Sequence, residues 1–281
     1  MVALGNQFLH SGSLLLLFMI IMLLSKMVND WLTPFSVDDE LTQKDNVAFA
    51  VSIGGYFVAT TIVYVGALIG PSKGIFQDLI AVGGYSILGI ILLNLSRYIN
   101  DKCILYKFSN VKEIITDRNV GTGAVQFGSY IASGLIIAGA INGEGGGIGT
   151  ALAFFLLGQL ALILFTKVYN VITPFDIHEE IEKDNVAAGV AFGGALIALG
   201  IILMKGASGD FISWQHNLKT FGLDALLIFI LLPIVRIFFD KIIIPKSDLN
   251  HEIKNDKNLG AGILEALVMI SFAVILYFVM S

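Results

Sequence analysis

"KDNVAFAV" at Lys44–Val51 and "KDNVAAGV" at Lys183–Val190 decide the architecture of this chain. They stand about half the chain apart, and each opens a long apolar run. Two fainter copies follow the same plan, "DRNVGTGAV" from Asp117 and "DKNLGAGI" from Asp256. Each copy has an asparagine at the start of the apolar run: Asn46, Asn119, Asn185 and Asn258. An aspartate lies one or two residues before it: Asp45, Asp117, Asp184 and Asp256. A glutamate lies six residues before it: Glu40, Glu113, Glu179 and Glu252. "TPF" recurs at Thr33 and Thr173 only, so the tandem unit is half of the chain and contains an older hairpin duplication.

Working outward, 56% of the residues are hydrophobic and 14% charged, with a mean hydropathy of +0.83. Soluble domains carry roughly 25% charged residues, so the composition assigns a membrane protein. A crossing helix needs about 20 apolar residues, and eight runs qualify: 9–31, 47–69, 79–98, 120–141, 148–169, 186–206, 219–239 and 259–280. They are too long for barrel strands, which need about 9–11 residues and alternate in polarity. The expected fold is all-α, with eight transmembrane helices in two tandem four-helix domains, 1–142 and 143–281. Each unit holds two spans, so the four hairpins are parallel repeats and all four Asn motifs share one membrane face. Fourteen Lys and Arg lie on that face and three (Lys73, Lys205, Lys219) on the other. The positive-inside bias makes the motif face cytoplasmic and both termini extracytoplasmic. No Lys or Arg precedes Lys26, so the first run reads as a retained helix and not a cleaved signal.

Asn is a strong helix N-cap, because its side-chain oxygen accepts from an amide of the first turn. An Asp beside it suits the positive end of the helix dipole. The motif therefore reads either as four capped membrane entrances or as a polar cytoplasmic vestibule. Within the spans, Glu265 lies seven residues past Asn258, about two helical turns into the apolar run. Its counterpart in the first domain is Gln126. An intramembrane carboxyl is costly and marks a functional hypothesis; the alternative is an interhelical bond, with Gln126 as an expected partner. Asp224, near Lys219 at the outer rim, is expected in an ion pair there or in a relay. After each Asn come small residues, including the Ala50/Gly54 and Gly189/Gly193 pairs, which favour close helix packing.

The single cysteine, Cys103, rules out an intrachain disulfide and a CxxC site. The histidines are scattered and no nucleophile–base or HExxH arrangement exists, so neither an enzyme, a metal site nor a cofactor is expected. The net charge of −5 gives no reason to expect nucleic acid.

The tandem units with "DRNVGTGAVQFGSYIASGLIIAGAI" and "DKNLGAGILEALVMISFAVILYFVM" resemble the YjfL-like bacterial inner-membrane family, catalogued as a domain of unknown function. The resemblance covers nearly the whole chain and rests on Asn followed seven residues on by Glu or Gln. It implies a bacterial inner membrane, no assigned chemistry, and a neighbourhood with membrane-stress proteins of the PspA type. Two functions fit: a small ion- or proton-coupled transporter or channel using Glu265 and Gln126, or a non-transporting scaffold whose connectors dock a cytoplasmic partner. The lipid bilayer is a partner in both.

Overall fold

The computed structural model describes residues 2–70 and 72–280, with side chains from Gln7 onward. Among them are eight long apolar helices and no strand: α1 (Val2–Leu32), α2 (Val47–Leu68), α3 (Ile75–Ile99), α4 (Val120–Ile141), α5 (Ile148–Ile172), α6 (Val186–Ala207), α7 (Trp214–Phe238) and α8 (Leu259–Val279). All eight are long and apolar enough to cross a membrane. Helix α1 starts earlier than its apolar run, and α7 runs through Pro233 without ending. A transmembrane helix tolerates proline where its neighbours satisfy the freed carbonyl.

The even helices start where the asparagines require. Asn46, Asn119, Asn185 and Asn258 accept from the amides of Phe49, Thr122, Ala188 and Ala261. The residue before each Asn is left-handed: Asp45 at φ 49°, Arg118 at 56°, Asp184 at 54° and Lys257 at 47°. That single reversal turns the connector into the helix axis. It costs roughly 1–2 kcal/mol for a residue with a Cβ, which the cap and the contacts below offset.

The even helices form a row, α2–α4–α6–α8, and the odd helices pack against it. Glycine sets the spacing of the row. Four residues past its own Asn, each helix places a glycine against the residue two past the previous Asn: Gly123 on Ala48, Gly189 on Gly121, Gly262 on Ala187. A second contact pairs Gly55 with Phe127, Gly128 with Gly193 and Gly194 with Ala266. A Cβ added to any of these contact glycines would lie within 3.0 Å of the facing helix, mostly of its backbone. Backbones meet directly, which is how membrane helices gain packing energy when lipid is as apolar as leucine. The contact recurs eleven residues on, at Gly66, Gly134, Gly139 and Gly200. Eleven residues make three turns, so one stripe stays on the seam.

Candidate functional site

The two domains carry equivalent polar clusters at the connector ends of the helices, and the clusters differ in filling. In the second domain Glu265 is fully buried. Its Oε1 accepts from Arg236 Nε at 2.9 Å and from the Tyr169 hydroxyl at 3.2 Å. Arg236 also donates to Asn250 Oδ1 at 2.9 Å and lies 6.0 Å from the centre of the Tyr169 ring. Phe239, Leu249 and Met269 pack the surroundings with at most 1% exposure. The carboxylate thus sits in a buried helix contact, with Oε2 left without a described partner and with Oε1 paired to an arginine and not to Gln126 as the sequence suggested. The reason is the row geometry: α4 and α8 lie on opposite sides of α6.

The first domain keeps the arginine and loses the carboxylate. At the offset that separates Lys44 from Lys183, Arg97 is the counterpart of Arg236 and Gln126 of Glu265. The same offset matches Asp101 with Asp240, Asn100 with Phe239 and Asn110 with Leu249. Asn29 is the counterpart of Tyr169, one residue off that offset, because the Thr33 and Thr173 hydroxyls donate to the carbonyls of Asn29 and Tyr169 in the same turn. Ser52 donates to Gln126 Oε1 at 2.6 Å, and Gln126 and Asn110 both donate to Asp101 Oδ1, at 3.3 and 2.6 Å. Arg97 Nη1 donates to the neutral Asn29 at 3.2 Å, and Arg97 also bonds the Tyr130 hydroxyl and lies near Asp101. Asn29 Nδ2, Asn110 Oδ1 and both polar atoms of Asn100 are buried without a hydrogen-bond partner. Beside them lies a cavity of about 230 Å³ lined by Asn29, Ser52, Arg97, Asp101, Asn110 and Gln126. Buried polar atoms are rarely left unpaired; in the second domain Glu265 Oε2 is unpaired too, and apolar side chains such as Leu32, Phe35, Phe49 and Ile53 complete the lining of the first-domain cavity.

The repeat motif does more than cap. Each Asn also donates its Nδ2 to a glutamate of its own connector: Asn46 to Glu40, Asn119 to Glu113, Asn185 to Glu180 and Asn258 to Glu252. In the third unit the partner is Glu180, not Glu179 as the six-residue spacing predicted. That connector is one residue shorter between acid and Asn, and Glu179 stays exposed beside Lys183 at 3.7 Å. The Nδ2 of the first three asparagines also reaches the next unit's connector, at the carbonyls of Ile114, Ile181 and Ile253, at 2.6–2.9 Å. The alternating Lys-Asp and Asp-base order has a physical basis too. In the first and third units the base pairs within its own connector, Lys44 with Glu40 and Lys183 with Glu179 and Glu180. In the fourth unit Lys257 reaches back to the carbonyl of Lys183, and in the second Arg118 acts on Glu40. Asp45, Asp117, Asp184 and Asp256 are all exposed; Asp117 pairs with Lys112 at 2.7 Å.

The connector carboxyls are tuned in opposite directions. Burial would raise Glu40, but hydrogen bonds from Lys44 and Asn46 outweigh it and hold it below the ordinary value. Burial raises Glu113, only partly relieved by Asn119 and reinforced by the nearby Asp117. Asp224 is buried at the outer rim and pairs with Lys205 of α6 at 3.3 Å, not with the nearer-in-sequence Lys219. No group of His, Cys, Asp and Glu among the described residues has metal-binding geometry.

These features define a polytopic, all-helical membrane protein built by tandem duplication. The family described as Domain of Unknown Function (DUF350) matches the chain twice, over residues 3–141 and 145–280, and the chain belongs to that family. It is 25% identical over 277 residues to a UPF0719 transmembrane protein of Aquifex aeolicus (strain VF5), covering 96% of this chain and 100% of that protein. It is 26% identical over 123 residues to the UPF0719 transmembrane protein YshE of Bacillus subtilis (strain 168), covering 43% of this chain and 85% of that protein. No solved structure matches.

Proposed function

We propose that the chain is a small-ion channel or transporter of the bacterial inner membrane whose ion site is the Arg97 cavity of the first domain, and that the ion is an anion. The observation that carries this is the contrast between equivalent clusters. In the second domain Glu265 supplies the negative charge that Arg236 requires. In the first domain Gln126 stands in its place and leaves a cavity beside Arg97. Arg97 is half-buried and has no carboxylate within ion-pair distance among the described residues, only Asp101 acting on it from further away; a small anion in the cavity would supply the close negative charge that Glu265 gives Arg236. Asp101 does not forbid this, because its counterpart Asp240 sits near the Arg236–Glu265 pair as well. The Lys and Arg excess makes the connector side cytoplasmic, so the cavity would load from the cytoplasm. Glu265, the acid that the sequence put on the path, acts in this reading as the lock of the second domain.

The test is anion flux and binding in proteoliposomes, with chloride, nitrate and acetate as probes. Wild type should bind or conduct at least one of them. Gln126→Glu should abolish this by tethering a carboxylate to Arg97, as Glu265 does to Arg236. Equal flux and binding in wild type and Gln126→Glu would refute the reading. The buried pairing of Glu265 with Arg236 favours a second function, a non-transporting scaffold whose connectors dock a cytoplasmic partner; absence of anion binding by either protein would support it.

A further inference from the structure

The interface between successive even helices is made three times inside the chain, and its two halves are left open at the ends of the row. On α2, the face that α4, α6 and α8 use toward their predecessors carries Ala50, Gly54 and Thr61, four, eight and fifteen residues past Asn46. It has no partner among the described residues: a Cβ on Gly54 would meet nothing within 4 Å, and Ala50 is exposed. On α8, the face that α2, α4 and α6 use toward their successors carries Gly260, Leu267 and Ser271, two, nine and thirteen residues past Asn258. Leu267 is 53% exposed. The hydrogen-bond relay is open in the same places. Asn258 donates only to Glu252 among the described bonds, and no described side chain donates to the carbonyl of Leu41, the counterpart of Ile114, Ile181 and Ile253.

We infer that copies of this chain associate head to tail in the membrane, with α8 of one copy seated on α2 of the next as a fourth turn of the same interface. The sizes fit. Every internal contact at these two levels has a glycine on at least one side, and the open ends give Gly260 against Ala50 and Leu267 against Gly54. The second repeats the small-to-large match of Gly55 with Phe127 in mirror order. Ser271 meets Thr61, two small side chains where the internal contacts have Ala59 with Gly134 and Ala132 with Gly200. Asn258 would donate to the next copy's Leu41 carbonyl. The YshE relative matches 43% of this chain over 85% of its own length. In a single-unit relative, the contact made here between α4 and α6 can form only between chains, so the same surface is suited to intermolecular use. The contact is heterologous, so it builds rings or filaments instead of a two-fold dimer.

Cysteine cross-linking in native membranes tests this, with Cys103→Ser as background. At the internal counterparts a Cβ on Gly134 or Gly200 would lie 2.9 Å from that of Ala59 or Ala132, closer than the roughly 3.5–4.5 Å of a disulfide, so a small separation of the helices brings two cysteines into range. Oxidation of Thr61→Cys/Ser271→Cys should give a ladder of dimers, trimers and higher species, and either substitution alone should give monomer. Ala198→Cys/Ala273→Cys, the same level within the chain, should close internally and report a folded row. Gly54→Leu, harmless to a free α2 face, should remove the ladder and leave the internal bond. No ladder beside a closed internal bond would overturn the inference, as would dimers from Thr61→Cys alone or a ladder untouched by Gly54→Leu.

Discussion

Removing the carboxylate of the second domain should expose how strongly that domain depends on its ion pair. Glu265→Gln keeps the shape and leaves Arg236 buried, at 7% exposure, facing only neutral acceptors, the new amide oxygen and Asn250. Breaking a buried pair by removing one partner costs about 3–5 kcal/mol. In a membrane the unfolded chain also finds polar partners, which pulls the value toward the lower end. At roughly 2–4 °C per kcal/mol for a chain of this order of size, Glu265→Gln should lower the melting temperature in detergent by about 6–12 °C. Removing both charges with shapes kept, Arg236→Met/Glu265→Leu, should recover most of the loss, because apolar replacement of a whole buried pair is often near neutral. Arg97→Met in the first domain should cost less than about 1 kcal/mol, since no carboxylate lies within ion-pair distance of it among the described residues and its described hydrogen-bond partners, Asn29 and Tyr130, are neutral. Thermal unfolding followed by circular dichroism reads all three variants against wild type. A shift of 1–2 °C for Glu265→Gln, or a double variant as unstable as the single, would refute the claim that this pair locks the domain.

Other perturbations separate the remaining contacts. Asn119→Ala loses a cap, a buried bond to Glu113 and the link to Ile181, and should cost about 2–3 kcal/mol; Asn258→Ala loses the cap and an exposed bond to Glu252 but no link to a further unit, and should cost about 1 kcal/mol. Chemical denaturation of the two side by side checks the difference. Gly128→Leu should prevent assembly of the row, since even a Cβ there would collide with the Gly193 backbone, and gel filtration in mild detergent should show it aggregated. The connector glutamates should respond to pH with opposite signs. Glu40 titrates below its ordinary 4.5, so its contribution is present above 4.5 and fades as pH falls through the lower folded value. Glu113 titrates above 4.5, so its contribution is present below 4.5 and fades as pH rises through the raised folded value. Glu40→Gln should therefore destabilise at neutral pH and Glu113→Gln should stabilise, read as melting temperature against pH.

The eight spans and the four Asn caps are legible in the sequence because they follow from local rules: run length, capping chemistry and a repeated spacing. The row of even helices is half legible, in small residues such as Ala50/Gly54 and Gly189/Gly193. Which of them face each other depends on register between helices, which no single helix records. Glu265 stands out by hydropathy, yet its partner Arg236 lies at a helix end, where a base looks like an interfacial anchor. The Arg97 cavity escapes a reading of single residues because asparagine and serine at helix ends look unremarkable one by one. Comparing the two halves position by position, Asn100 with Phe239 and Asn110 with Leu249, is the signal that finds it. A constant spacing selects Glu179 over Glu180, and the third connector breaks that spacing by one residue.

The most direct test compares one position in the two domains. Ser52 and Ala191 occupy the same place in α2 and α6, the first at the cavity and the second in packed core. In inside-out vesicles with Cys103→Ser, a small membrane-impermeant methanethiosulfonate should modify Ser52→Cys and leave Ala191→Cys unmodified. Chloride or acetate should slow the first reaction. Equal protection of both cysteines would mean that the Arg97 cluster is as dry as the Glu265 cluster, and the account of an ion site in the first domain would be wrong.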